Sequence, residues 1–171
     1  MIFDYADGFR WNDADGIYEI IKDPDATVQY RLRWHDWLRG DDRYWLPKTF
    51  FVPGETATPP REGINGHRYR CTVGGRTAGT QPSWSTSGTA TFTDGSVTWA
   101  RIGAEDRIAT NDFTAETGIT VSAESIDATE CVTLVTLTGG TLGRSYIVTD
   151  SITTDAGLTE NQRFRVLVRQ H

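Results

Sequence analysis

Period-two alternation of apolar and polar side chains is the strongest pattern in this sequence, and it predicts β-strands. In the segment QYRLRWHDWL, the large apolar side chains of Tyr30, Leu32 and Trp34 alternate with charged ones, as in a half-buried strand. The alternation places His35 on the polar, solvent-facing side. Residues 163–169 alternate in the same way, and no segment has a convincing helical period.

Further short apolar runs continue this pattern towards the C-terminus. Candidate strands lie near residues 119–125, 131–138, 144–149 and 164–168. Thr is abundant there and Val and Ile recur, which favours strands of an antiparallel sheet. Short strands spaced about 8–12 residues apart are typical of a β-sandwich. The sequence therefore predicts an all-β, antiparallel, Ig-like β-sandwich.

A self-contained hairpin module interrupts this pattern. The Gly-, Pro- and Thr-rich stretch 54–66 reads as a linker. Within residues 67–103, the pair Asp94-Gly95 between two alternating runs predicts a tight type I′ hairpin turn. We therefore predict a sandwich made of residues 28–53 and 104–171, with residues 54–103 forming a linker plus an inserted β module. Insertions of this kind are tolerated at surface loops.

The first 27 residues differ from the rest in composition and predict an extended N-terminal arm. They hold seven acidic and two basic residues, with aromatic and aliphatic side chains scattered among them without a period. Such segments often become ordered on a neighbouring protein. The residues predicted to bind a partner are Phe3, Phe9, Trp11, Ile17 and Tyr18.

Composition and charge exclude several classes of function. With 17 basic and 23 acidic residues the net charge is −6, which argues against sequence-independent binding of nucleic acid. No run approaches the roughly 20 apolar residues of a membrane span, and the acidic N-terminus does not resemble a signal peptide. We expect the protein to be made in the cytosol and to stay there until something releases it. The two cysteines read as free, buried thiols.

No catalytic or metal-binding constellation is visible. The sequence has no nucleophile elbow, phosphate-binding loop or His-Glu-x-x-His motif. The stretch NDADG superficially suggests a calcium loop, but the alignment places Trp11 at the first ligand position and Lys22 where a glutamate is required. We predict a protein that is not an enzyme and that needs no cofactor or metal.

Two features allow more than one interpretation. Tyr69, Trp84 and Trp99 could stack on the faces of a sugar as a glycan-binding platform, or they could form the core of a module with few other large side chains. The outward-facing arginines at the C-terminus could pair with the acidic arm of an adjacent copy, or they could keep an edge strand soluble. Those arginines are Arg163, Arg165 and Arg169.

Three segments resemble, in the same order, the small β-sandwich proteins known in tailed phages as fiber-tail adaptors. The first ends a Tyr-containing strand with two tryptophans, the second continues into a strand after an Asp-x-Ile motif, and the third is a Gly-Gly-Thr hairpin. The residues that carry the resemblance are Trp34, Trp37, Leu38, Asp106, Ile108, Gly118, Thr120, Val121, Gly139, Gly140, Thr141, Gly143, Tyr146, Val148 and Thr149.

The central module resembles a small unit of phage tail and fiber proteins and, loosely, chitin- and cellulose-binding modules. Its motif residues are Gly66, Tyr69, Cys71, Thr72, Gly75, Gly79, Pro82, Trp84, Asp94, Gly95 and Trp99. The usual adaptor lacks this insertion.

Together, the resemblances imply a structural virion protein, a tail or fiber adaptor present in several copies per particle. It would bind neighbouring tail, fiber or connector proteins. The alternatives are a host-surface carbohydrate-binding module and a head decoration protein.

Overall fold

The computed structural model describes residues 8–60, 65–88, 91–127 and 131–170. Within these ranges the chain is nearly all β and contains one four-residue helix. The elements in chain order are β1 (Arg10–Asn12), β2 (Ile17–Lys22), β3 (Val28–Arg33), α1 (His35–Leu38), β4 (Arg43–Tyr44), β5 (Phe50–Phe51), β6 (Thr56–Thr58), β7 (His67–Val73), β8 (Gly75–Arg76), β9 (Thr91–Asp94), β10 (Val97–Ala104), β11 (Ile108–Ala115), β12 (Ile119–Asp127), β13 (Val132–Gly139), β14 (Ser145–Thr154) and β15 (Thr159–Val168).

The chain divides into two compact units, and the second interrupts the first. Unit 1 comprises Met1–Trp37 and Arg107–His171, and unit 2 comprises Leu38–Asp106. The sequence interpretation placed residues 28–53 in the sandwich and began the insert at residue 54. The structure moves that boundary to residue 38, because β4 pairs with β6 and β5 pairs with β8 inside unit 2. At the other end, β10 continues to Ala104, so unit 2 also extends beyond residue 103.

Unit 1 is a β-sandwich, and this confirms the predicted fold class. One sheet has the strand order β1-β2-β15-β14-β11 and the other has the order β12-β13-β3. Apolar side chains from both sheets form one core, in which the rings of Tyr30 on β3 and Phe164 on β15 lie 6.1 Å apart. The alternation that predicted β15 is confirmed, since Phe164, Val166 and Val168 are all fully buried.

The structure corrects the extent of the predicted N-terminal arm. Residues 10–22, which the sequence interpretation placed in the arm, form the hairpin of β1 and β2, and β2 pairs in parallel with β15. Phe9 is 1% exposed and packs edge-to-face on Phe164 at 5.2 Å. The alternation in β2 is hidden because a charged residue, Lys22, occupies a buried position, where its Nζ donates to the carbonyls of Asp23 and Gly139, each at 2.8 Å.

The predicted first strand ends earlier than its pattern indicates. Trp34 is fully buried, as predicted, but β3 ends at Arg33 and α1 begins at His35. The N–H of Trp37 donates to the carbonyl of Trp34 at 3.0 Å, which turns the chain at this point. The prediction of a solvent-facing His35 is therefore wrong, because the turn buries this side chain to 4% exposure.

Unit 2 contains a five-stranded sheet with the order β4-β6-β7-β10-β9 and the two-stranded pair of β5 and β8. The predicted hairpin is present, but its two loop residues are Gly95 and Ser96 rather than Asp94 and Gly95, because Asp94 pairs with Val97. Gly95 has a φ of 63° and Ser96 does not have a positive φ, which matches a type II′ turn. A Cβ at Gly95 would lie 2.4 Å from the Arg76 carbonyl oxygen, so glycine is required there.

Candidate interaction surfaces

The β1–β2 hairpin presents an aromatic side chain beside carboxylates. Trp11 is 44% exposed, and its ring packs edge-to-face on the ring of Tyr18 at 4.8 Å. Ile17 and Tyr18 are half-buried, whereas Asp13 and Asp15 in the turn are exposed. Of the residues predicted from sequence to bind a partner, Trp11 is therefore the accessible one, Phe9 belongs to the core, and Phe3 lies outside the described residues.

An ion-pair network fixes the base of this hairpin. Arg165 on β15 approaches Asp15 at 2.5 Å and Glu19 on β2 at 2.7 Å. Hydrogen bonds that the guanidinium of Arg165 donates to Asp15 and Glu19 raise its pKa above the ordinary value. Of the three arginines whose role was open, Arg165 thus pairs with the acidic segment of its own chain. Glu19 also accepts a hydrogen bond from the Asn12 amide at 2.9 Å.

The two sheets of unit 1 meet on one side and are separated on the other. On the closed side, Glu124 of β12 accepts a hydrogen bond from the backbone N–H of Phe113 on β11 at 2.9 Å. On the opposite side, a groove of about 500 Å³ separates β3 from β1, β2 and the end of β15. The groove is lined by Gly8, Arg10, Glu19, Ile20, Ile21, Val28, Gln29, Tyr30, Leu167 and Arg169.

The groove combines a buried apolar lining with a basic rim. Tyr30 is 4% exposed, its hydroxyl makes no hydrogen bond within the described part of the chain, and burial raises its pKa to about 12. Arg10 and Arg169 are exposed at the rim, and Glu19 is already engaged by Arg165. The groove therefore suits a chain segment that carries apolar and acidic side chains.

The three aromatic residues considered as a glycan platform belong largely to the core of unit 2. Tyr69 and Trp99 are fully buried, so the structure contradicts the platform for these two residues. Trp84 is half-buried and packs on Tyr69 at 4.6 Å. The Tyr69 hydroxyl donates to the carbonyl of Ser85 at 2.9 Å and accepts from the Asn65 amide at 2.8 Å, which fixes it inside the unit. The rings form this core because the unit has few other large side chains.

A buried carboxylate organises the same core, and the sequence interpretation missed it. One oxygen of Asp94 accepts from the indole N–H of Trp45 at 2.6 Å and from that of Trp99 at 3.2 Å. The other oxygen accepts from the backbone N–H of Ala78 at 2.8 Å. Asp-Gly reads as a turn signal from the sequence, and the contact with Trp45 spans 49 residues, so no local pattern reveals it.

A second buried carboxylate of unit 2 forms an ion pair. Asp42 is fully buried and accepts hydrogen bonds from Arg68 and from the Thr56 hydroxyl. Burial by itself raises the pKa of Asp42, but these hydrogen bonds outweigh that effect and hold the pKa below its usual range. Two of the acidic residues of unit 2 are therefore turned inward rather than towards solvent.

Five large apolar side chains are exposed in the described part of unit 2, and we call the four that are more than half exposed the apolar rim. It consists of Leu46 (54% exposed), Phe50 (69%), Val52 (60%) and Val73 (55%). Phe51 points inward onto Trp99 at 4.9 Å, so its neighbours Phe50 and Val52 point outward. Exposed large apolar side chains often mark an interaction site when they lie close together.

Cationic side chains lie next to the apolar rim. Arg76 on β8 pairs with Phe50 on β5, and its guanidinium lies 5.9 Å from the centre of the Phe50 ring. The Arg76 Nε also donates to the carbonyl of Lys48 at 2.9 Å, and the Lys48 side chain is exposed. The nearby carboxylate of Glu55 is held by Arg43 at 2.8 Å and by the Val52 N–H at 2.7 Å.

The described residues contain no cluster of His, Cys, Asp and Glu side chains suited to a metal ion. The described helix is too short to cross a membrane. Neither Cys71 nor Cys131 forms a disulfide and both are buried, as the sequence predicted.

Comparison with known families gives one match. Residues 88–167 match the family described as podophage GP4 fiber-tail adaptor protein gp77. The chain is fiber-tail adaptor-like. No curated protein and no solved structure matches the chain.

The adaptor match covers specific elements of the fold. It begins in unit 2 just before β9, includes the hairpin of β9 and β10, and continues through β11 to β14 and most of β15. This agrees with the resemblance that the sequence showed between residues 104 and 167. The matched family is structural rather than enzymatic, and it supports a structural role in a phage tail. Strands β1 to β8 lie outside the match.

Proposed function

We propose that this protein is a structural adaptor of a phage tail and that unit 1 binds a neighbouring fiber, tail or connector protein. The observation that carries the proposal is the adaptor match, which includes four whole strands of the unit 1 sandwich and most of a fifth. An adaptor of this kind is incorporated into the virion in several copies, after synthesis in the host cytoplasm.

The groove of unit 1 is the surface best suited to that contact. It lies on the open side of the sandwich, next to β3, which is an edge strand of its sheet. An extended segment of a partner can add to such an edge while its alternate side chains enter the groove. The buried walls favour apolar side chains, and the exposed Arg10 and Arg169 favour carboxylates.

No specific observation favours the alternatives of a host carbohydrate-binding module and a head decoration protein. Two of the three aromatic side chains that the carbohydrate alternative requires, Tyr69 and Trp99, are buried.

The proposed contact can be tested with the fiber, tail-tube and connector proteins of the same phage. Each is immobilised, and binding of the full chain is measured by biolayer interferometry. The variant Arg10→Glu/Arg169→Glu reverses both charges at the groove rim and should lose binding. Arg163→Glu is the matched control, because Arg163 is exposed on β15 but does not line the groove. Unchanged binding by the double variant would place the contact elsewhere, and no binding to any of these proteins would contradict the adaptor role.

A further inference from the structure

The two units carry opposite net charges. Unit 2 holds eight basic and seven acidic residues, giving +1, whereas unit 1 holds nine basic and sixteen acidic residues, giving −7. Of the acidic residues of unit 2, Asp94 is buried and hydrogen-bonded in the core and Asp42 is paired with Arg68, so neither carboxylate is presented to a partner. Complementary potentials of this kind steer association and select partners.

In each unit, an exposed aromatic side chain lies beside charged residues, and the sign of the charge differs between the two units. In unit 1, Trp11 is exposed beside the acidic turn that contains Asp13 and Asp15. In unit 2, Phe50 is exposed at the apolar rim beside Lys48 and Arg76. Because Asp15 is already paired with Arg165, one surface presents an indole with the carboxylate of Asp13, and the other presents a phenyl ring with cations.

We infer that the apolar rim of unit 2 docks the β1–β2 hairpin of a second copy of this chain. Trp11 of one copy packs on Phe50 and Val52 of the next, and Asp13 faces Lys48 across the contact. Large aromatic and charged side chains together form the usual energetic centre of a protein interface. The required chemistry is present on this chain itself, so the contact needs no tail protein.

The two surfaces are different, so the contact is heterologous. Each copy offers one hairpin and one apolar rim, and successive copies therefore associate head to tail into a closed ring or an open chain. This gives unit 2 a role in joining copies, distinct from the groove of unit 1.

A charge swap on the full chain tests this contact, with self-association measured by sedimentation equilibrium. Lys48→Glu places a carboxylate at the rim opposite Asp13 of the next copy, and Asp13→Lys places an ammonium group on the hairpin opposite Lys48 of the next copy. Each variant alone should associate at least about tenfold more weakly than the wild-type chain, which corresponds to about 1.4 kcal/mol. An equimolar mixture should regain the wild-type association, because every hairpin then meets a rim of opposite charge.

Further variants separate the contact from a general effect of charge or hydrophobicity. Trp11→Ala and Phe50→Ser should each weaken self-association without lowering the melting temperature. Asp155→Lys and Leu158→Ser are the matched controls, since both residues are exposed in unit 1 outside the hairpin and should leave association unchanged. If a charge-reversal variant loses its cooperative melt, Lys48→Gln and Asp13→Asn replace it in the comparison.

Three results would overturn the inference: a wild-type chain that stays monomeric, controls that weaken association as much as the test variants, or a mixture that does not recover. The adaptor role is tested separately, because Lys48→Glu leaves the groove of unit 1 intact. If Lys48→Glu and Asp13→Lys leave self-association unchanged and the protein still binds tail proteins, the contact between copies is refuted and the adaptor role stands.

Discussion

Units 1 and 2 each bury a carboxylate that accepts hydrogen bonds from tryptophan, but the two carboxylates are satisfied to different degrees. In unit 2, both oxygens of Asp94 accept hydrogen bonds, two of them from indole groups. In unit 1, one oxygen of Asp150 accepts from Trp34 at 3.1 Å and from the Thr133 hydroxyl, while the other makes no hydrogen bond within the described residues.

The two cores also differ in size. Seven buried apolar residues form the core of unit 2, so a fully bonded carboxylate that joins β9, β10 and two loops contributes a large share of its stability. The core of unit 1 has thirteen buried apolar residues from two sheets. Such a core can retain an incompletely bonded carboxylate, and burial raises the pKa of Asp150 to about 7. Unit 1 should therefore respond to pH, and unit 2 should depend on its hydrogen bonds.

The largest expected effect is that of Asp94→Ala on unit 2. The substitution leaves two buried indole donors without an acceptor, each at a cost of about 1–3 kcal/mol, so roughly 2–6 kcal/mol in total, and it also removes the acceptor of the half-buried Ala78 N–H. We expect the tryptophans of unit 2 to lose their native fluorescence at a temperature where unit 1 remains folded. Asp155→Ala, at an exposed site, is the control. A variant that melts like the wild-type chain would show that the carboxylate is not essential to this core.

Trp34→Ala should destabilise unit 1 by roughly 3–5 kcal/mol, because it opens a large cavity in the sandwich. It also removes the indole that donates to Asp150 and Thr133. Chemical denaturation monitored by circular dichroism measures the change, with the 44%-exposed Trp11 as the site of a matched Trp11→Ala control. If Trp34→Ala and Trp11→Ala have equal free energies of unfolding, the buried Trp34 contributes no more to the stability of unit 1 than the exposed Trp11.

Asp150 should make unit 1 less stable as the pH rises from about 4 to about 7. Its pKa is raised in the folded protein, chiefly by burial and further by Asp112 and Glu124, so the folded state holds the proton more tightly than the unfolded state. The associated stability is fully present below pH 4 and is lost as the pH rises through 7. A shift of about three units corresponds to as much as roughly 4 kcal/mol.

The variant Asp150→Asn isolates this effect, because it removes the titrating group while keeping an oxygen for Trp34 and Thr133. As the pH rises from about 4 to about 7, the unfolding free energy of the wild-type chain should fall relative to that of the variant. A difference that stays constant with pH would mean that Asp150 does not titrate there.

The smallest expected effect is that of Trp84→Ala. Trp84 is half-buried against Tyr69, so its loss should lower the stability of unit 2 by roughly 2 kcal/mol, less than a fully buried tryptophan. We expect the melting temperature of unit 2 to fall and binding to a glycan array to be absent before and after the change. Loss of glycan binding without a change in melting would restore the sugar-platform hypothesis.

The sequence predicts local features well where one face of a strand is uniformly apolar. Trp34 and Phe164 were placed correctly in the core because their neighbours two residues away are also apolar. The β1–β2 hairpin was assigned to an arm because its pairing with β15 is non-local and because Lys22 occupies an inward position.

Candidate sites were harder to predict than strands. A single sequence does not distinguish an aromatic ring in a small core from one on a surface, as Tyr69 and Trp99 illustrate. Conversely, Phe50 and Val52 look like core residues in the sequence but are exposed, because β5 has only two residues and Phe51 takes its inward position.

The central proposal is that unit 1 folds independently of the inserted unit 2 and carries the adaptor contact. Replacing residues 38–106 by a short Gly/Ser linker and measuring the thermal melt, together with binding to the fiber or tail partner, tests it most directly. We expect one cooperative transition and retained partner binding, because the strands and core of unit 1 lie outside the deleted range. A protein without a cooperative transition, or a folded one that no longer binds the partner, would contradict the claim.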